Sequence, residues 1–115
     1  MRTLMSFALC LAVLVPAGVF AQSSNIIEYR ERATIAVGQS IVIHGARGEC
    51  GQAPSKSSIS LPKLKTGTLS LGKSGVRDSN SCGGNTPAIE VIFTGTIAGR
   101  ESFELFGDKV TLRVK

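Results

Sequence analysis

Apolar residues at every second position constrain this chain more than any other feature. In its C-terminal third, Ile89, Val91 and Phe93 alternate with Glu90 and Ile92. Phe103 and Leu105 alternate with Ser102 and Glu104, and Val110, Leu112 and Val114 with Lys109, Thr111, Arg113 and Lys115. A period of two sends alternate side chains to opposite faces of an extended strand, which yields sheets with one buried and one wet face. Gly99-Arg100 and Gly107-Asp108 separate these runs as turns, the second leaving about two residues between strands, a hairpin spacing. The same period appears earlier. Ala33, Ile35 and Val37 alternate with Thr34 and Ala36, Gly38-Gln39 turns the chain, and Ile41 and Ile43 alternate with Val42 and His44, which predicts two strands joined by a tight turn. Ile59 and Leu61 precede a break at Pro62, and Leu69 and Leu71 follow Thr66-Gly67. Gly72 to Thr86, rich in Gly, Ser and Asn, predicts a long loop with one short strand around Val76. No stretch beyond residue 21 has the pattern of an amphipathic helix. The expectation is an all-β fold, a small antiparallel β-sandwich or barrel of about seven short strands.

The first residues carry a different signal. Arg2 supplies a short positive region, Met5 to Val15 is apolar, Pro16 and Gly18 break the run, and Val19-Phe20-Ala21 suits cleavage after Ala21. Residues 1–21 are therefore expected to be a signal peptide and residues 22–115 a single domain. The apolar run falls short of the roughly 20 residues a spanning helix needs, so no stable membrane insertion is expected after cleavage. Cys10 lies inside the run behind Phe7-Ala8-Leu9 rather than a small-residue lipobox, which argues against a lipid anchor. The expected location is periplasmic or secreted.

Removing 21 of the 115 residues leaves Cys50 and Cys82 as the cysteines of the chain. An even count in a short exported protein predicts a disulfide. Each cysteine sits in a small-residue loop, Gly48-Glu49-Cys50-Gly51 and Ser81-Cys82-Gly83-Gly84. A bridge would close a loop of about 33 residues and contribute about 3–4 kcal/mol by chain entropy. In a domain this small, whose core alone gives marginal stability, that decides a great deal.

The stretch from Val91 to Val114 carries Val-x-Phe, then Gly-x-Glu-x-Phe-x-Leu, then Val-x-Leu-x-Val. This pattern resembles the last strands of bacterial immunoglobulin-like domains. The resemblance implies an immunoglobulin-like β-sandwich, a fold that commonly serves binding and adhesion. The chain departs from it in having no Trp, in placing Tyr29 near the start, and in setting its cysteines in glycine-flanked loops rather than apolar strands.

Charge is placed unevenly. The chain has 13 Lys and Arg against 8 Asp and Glu, a net of +5, and residue 2 is the one basic residue of the leader. Between His44 and Ser79, Arg47, Lys56, Lys63, Lys65, Lys73 and Arg77 face only Glu49 and Asp78, whereas the rest of residues 22–115 balances. The middle third thus holds the net positive charge. It is either a solvated surface that keeps a small protein in solution or a basic face for an anionic partner outside the cytosol. Nucleic acid is not expected, because the basic segment has no aromatics on which bases would stack and the compartment is wrong.

Candidate chemistry is sparse. His44 is the sole histidine, and pairing it with Cys50 as base and nucleophile would require a free thiol. No Gly-x-Ser-x-Gly elbow is present. One histidine, two cysteines expected to be oxidised and scattered acids predict no metal site and no cofactor; a zinc site at Cys50, Cys82 and His44 would need a reducing compartment. Glu101 and Glu104 have no spacing that marks a glycosidase pair. Gly83-Gly84, with no strand-to-helix context, predicts a loop with positive φ angles rather than a phosphate cradle. There remain the loops themselves: Arg47, Glu49, Gln52, Arg77, Asp78, Asn80 and Asn85 surround the cysteines, with Lys63 and Lys65 adding basic charge between them. A Cys50–Cys82 bridge would gather the loops at one end on a rigid platform, a frequent place for binding residues. The expected function is a non-enzymatic binding module for a protein or an anionic cell-envelope polymer. The alternative is an inhibitor of a secreted hydrolase, a lysozyme or protease, since a preorganised loop loses less entropy on binding.

Overall fold

A computed structural model describes residues 25–115. The leader and its cleavage point at Ala21 lie outside the described residues. Among the described residues six strands form, not seven: β1 (Arg32–Ile35), β2 (Ser40–Arg47), β3 (Gly67–Ser79), β4 (Gly84–Gly95), β5 (Gly99–Leu105) and β6 (Asp108–Val114). They make two three-stranded sheets, ordered β2-β4-β3 and β1-β6-β5. These six strands pair antiparallel except β1 with β6, which run parallel with Arg32 opposite Thr111 and Ile35 opposite Val114; a short parallel bridge also joins Ile26 to Val76. No helix among the described residues is long and apolar enough to cross a membrane.

The inward residues of the period-two runs meet in one core. Ile43, Ala46, Val91 and Phe93 from the first sheet pack with Ile35, Leu105, Val110, Leu112 and Val114 from the second. The alternation read from the C-terminal third thus gives the buried face directly: Val110, Leu112 and Val114 are buried while Lys109, Arg113 and Lys115 are exposed. Ile59, Leu61 and Leu64 form no strand, yet they are half-buried against the core. Their segment is pinned by Glu101 on β5, whose carboxylate accepts hydrogen bonds from the backbone N–H groups of Lys65 and Thr66 and from the Thr66 hydroxyl.

Two sequence expectations need correction. The turn at Gly38-Gln39 exists, with Gly38 at φ 90°, but β1 and β2 do not form a hairpin. The turn hands the chain from one sheet to the other: Ile35 and Val37 bond to Lys115 beyond β6, and Gly38 and Gln39 then bond to Gly95 at the end of β4. The second concerns Gly72 to Thr86. It is not a long loop but the second half of β3, a three-residue 3-10 turn at Asn80–Cys82, and the start of β4. Its Gly, Ser and Asn content suggested a loop, but cross-strand pairing and side-chain packing outweigh intrinsic strand preference. The register of β3 against β4 shifts between Leu71 and Ser74, and Glu90 caps that irregularity by accepting from Lys73 N–H (3.0 Å) and Asn25 Nδ2 (2.9 Å). Asn25 to Ile27 add to β3, with Ile27 N–H donating to Val76 O and Val76 N–H to Asn25 O.

A stapled, arginine-lined depression

The disulfide forms. Cys50 and Cys82 are bonded with their Cα atoms 5.4 Å apart, joining the loop after β2 to the 3-10 turn at the tip of the β3–β4 hairpin. Two further contacts hold the same junction: Gly51 N–H donates to the hydroxyl of buried Thr86, and Arg47 Nη2 donates to Ser81 Oγ, both at 2.9 Å. With its sulfur oxidised, Cys50 offers no thiolate to His44.

His44 sits within β2. A one-residue shift in the pairing of β2 with β4, between Val42 and His44, lets consecutive residues Ile43 and His44 both be fully buried. Such bulges re-aim a side chain. Gly45 N–H donates to His44 Nδ1 (2.8 Å), and Nε2 lies 2.9 Å from Asp108 Oδ2 at the start of β6. A backbone N–H can only donate, so Nδ1 carries the lone pair and the proton resides on Nε2, donated to Asp108. Burial pushes the His44 pKa below its ordinary value, the hydrogen bond to Asp108 acts in the opposite direction, and nearby Arg77 adds to the lowering. The neutral ring therefore ties the two sheets together with both nitrogens engaged. Tyr29 and Phe106 flank it, with ring centroids at 4.9 and 5.4 Å.

Phe106 is held outward by the β5–β6 turn. Both Phe106 (φ 55°) and Gly107 (φ 86°) lie at positive φ, as a two-residue type I′ hairpin turn requires. The turn thus falls one residue earlier than the expected Gly107-Asp108, and Asp108 begins β6 facing His44.

Above this tie lie two connected depressions. The first, about 310 Å³, is bordered by Tyr29, His44, Arg77, Asp78, Asn80 and Asp108. The second, about 540 Å³, is bordered by Arg47, Arg77, Ser79, Asn80, Ser81 and Phe106. Arg77 and Asn80 belong to both. Arg77 reaches this position because Gly45 has no side chain: a Cβ there would come within 3.0 Å of Ile27 and 3.3 Å of Ala88 and of Arg77 Cδ. The Arg77 guanidinium is then fixed by backbone carbonyls, Nη1 to Gly45 O (3.0 Å) and Nε to Asp78 O (3.2 Å). Arg47 is held likewise, Nη1 to Gly48 O and Nη2 to Ser81 Oγ. Among the described residues no carboxylate forms an ion pair with a lysine or arginine, the one acidic contact to a basic side chain being Asp108 with the neutral His44, so neither arginine is neutralised by an acid.

Of the residues singled out from sequence, Arg47, Arg77, Asp78 and Asn80 are brought together. Glu49 and Gln52 sit in the exposed Cys50 loop, joined to each other by a Gln52 N–H to Glu49 O bond, and Asn85 is exposed on β4 opposite Asp78. Arg77, Asp78 and Asn85 are strand residues, not loop residues. Lys63 and Lys65 lie elsewhere, by the opening of β3 at Gly67; nine strand residues lie between Gly67 and Arg77, a span of about 30 Å at the usual rise. Lys63 and Lys65 are therefore set apart from Arg47 and Arg77 along β3, with Lys73 between them. Sequence reasoning passed over Tyr29, Phe106 and Asp108. The available signal was Phe106, an apolar residue next to Leu105 and so out of step with the period-two register. Among the described residues no three His, Cys, Asp or Glu side chains are grouped to hold a metal ion.

Comparison with protein-family models, with curated proteins and with solved structures found no significant match.

Proposed function

We propose that the protein is an exported, non-enzymatic binding module of immunoglobulin-like sandwich type. It acts in the periplasm or outside the cell, through its disulfide-stapled end, on an anionic envelope polymer or a protein. One observation carries this reading: Arg47 and Arg77 border one depression, each held by carbonyl or hydroxyl oxygens and neither paired with an acid. A guanidinium fixed by backbone carbonyls keeps its charge and its remaining N–H donors for an incoming anion, and its ordering entropy is already spent. The two-sheet core, with the C-terminal strands buried as the immunoglobulin-like pattern implies, supports the fold type.

An inhibitor of a secreted hydrolase is the second reading, favoured by Phe106. Its side chain is 45% exposed on a tight turn, a rigid aromatic suited to fill a partner's cleft. Capture from an envelope extract with the oxidised protein separates the two. Polymer bound through the arginines is expected to be released steeply as salt rises and to be lost in an Arg47→Gln/Arg77→Gln double variant. Salt-insensitive capture of one hydrolase, lost on Phe106→Ala, would establish the inhibitor. Capture unchanged by all three substitutions would overturn both readings.

A further inference from the structure

The two connected depressions differ in character. Arg47 and Arg77 make one cationic with no acid on its border, while Asp78 and Asp108 border the other beside Tyr29 and outnumber Arg77, which reaches both. Asn80 lies where they meet and Phe106 stands over the cationic side. A ligand that fills both must present an anionic group at one end. At the other it must present hydrogen-bond donors that carboxylates accept, and it needs a body able to lie against aromatic faces. A chain with closely spaced phosphates or sulfates fits poorly, because its next charge would fall against Asp78 and Asp108. Tyr29 and Phe106, 42% and 45% exposed, stand on either side of His44 and leave ring surface free. His44, neutral and donating to Asp108, adds no cation at this end.

Resting on the binding reading above, we propose that this site recognises a sugar acid, a carboxylate-bearing residue of an acidic polysaccharide. The carboxylate lies between Arg47 and Arg77, whose planar forks match its two oxygens. The ring hydroxyls donate to Asp78 and Asp108 and meet the Asn80 amide, while the apolar ring face lies on Phe106 or Tyr29. Hydroxyls donating to carboxylates, with few charges per unit length, set this ligand class apart from polyphosphate and sulfated chains. The connected chambers lie in the size range of small-molecule sites.

The test is calorimetric titration of the disulfide-bonded protein with trimers that carry a single uronate, galacturonate, glucuronate or mannuronate, between neutral hexoses. The same trimers with carboxyls reduced to alcohols, and tripolyphosphate, serve as comparisons. At least one uronate trimer is expected to bind, to weaken about tenfold or more in Arg77→Gln, and to weaken in Arg77→Lys, which keeps the charge but loses the fork. Its reduced counterpart is expected not to bind. Near-ultraviolet circular dichroism of each variant keeps loss of fold apart from loss of site. Equal binding of the reduced sugar, or tighter Arg77-dependent binding of tripolyphosphate, would overturn the sugar-acid assignment. If no trimer binds while envelope capture still depends on Arg77, the assignment fails and the broader binding reading stands; if that capture is also lost, both fail.

Discussion

His44 Nε2 lies 2.9 Å from Asp108 Oδ2, joining a strand of one sheet to the first residue of a strand in the other. The donor is fully buried and the acceptor is 41% exposed, so the bond forms at the rim of the core beneath the depression. It fixes both the ring that floors the site and the hairpin that carries Phe106.

Acid is expected to weaken the fold in two stages. Burial lowers the His44 pKa, so the unfolded chain takes up that proton first. The stability contributed by the neutral ring is full above about pH 6.5 and is lost as pH falls below it. Glu90 is lowered chiefly by the Asn25 and Lys73 hydrogen bonds. Burial works to raise Glu101, but its bonds from Thr66 and Lys65 together outweigh this, and its pKa is lowered too. Both carboxylates carry the same sign at lower pH, their contribution being lost below about 4.5. Denaturant unfolding of wild type and His44→Gln across pH 3 to 8 checks this: the variant is expected to lose the slope that sets in as pH falls below about 6.5 and to keep the further fall below about 4.5.

Replacing Gly45 by Ala should destabilise the protein by about 1–3 kcal/mol through overpacking against Ile27, Ala88 and Arg77. Because the added methyl meets Arg77 Cδ, capture of the proposed anionic partner is expected to weaken as well, which a substitution at a remote glycine such as Gly38, beside Gly95 at the other end of β4, would not do. Urea unfolding and a binding assay on the same samples give both values.

Serine at both Cys50 and Cys82 should remove about 3–4 kcal/mol, the entropy of the loop closed over a sequence separation of 32. The oxidised wild type is expected to weigh two hydrogens less than its reduced form by intact mass, and an equal mass would refute the bond.

Much of the fold was legible because the C-terminal strands obey a strict period of two, and burial follows it residue by residue from Val110 to Val114. What escaped was long-range. Gly38-Gln39 has the chemistry of a hairpin turn, but which strands flank it as partners depends on Gly95 and Lys115, far along the chain. The second half of β3 was hidden by its own Gly and Ser content, since its strand state comes from β4 and from Asn25 rather than from propensity. Four of the site residues were found by their nearness to the cysteines. Asp108 and Phe106 were not, because only the β5–β6 turn brings them to His44.

Glu101→Ala is expected to cost about 1–3 kcal/mol by leaving the Lys65 and Thr66 N–H groups without their acceptor. The segment carrying Ile59, Leu61 and Leu64 should loosen first, visible as faster amide exchange there while β6 stays protected.

The parallel seam of β1 with β6 also sets an order of events. Arg32 finds Thr111 only after nearly the whole described chain has been delivered, so the sheet that holds them is among the slowest contacts to close. Until then Ile35 has no strand neighbour and the core lacks one wall. A chain wired this way completes its β2-β4-β3 sheet without the seam, so β1 is expected to gain amide protection later than β4 during refolding.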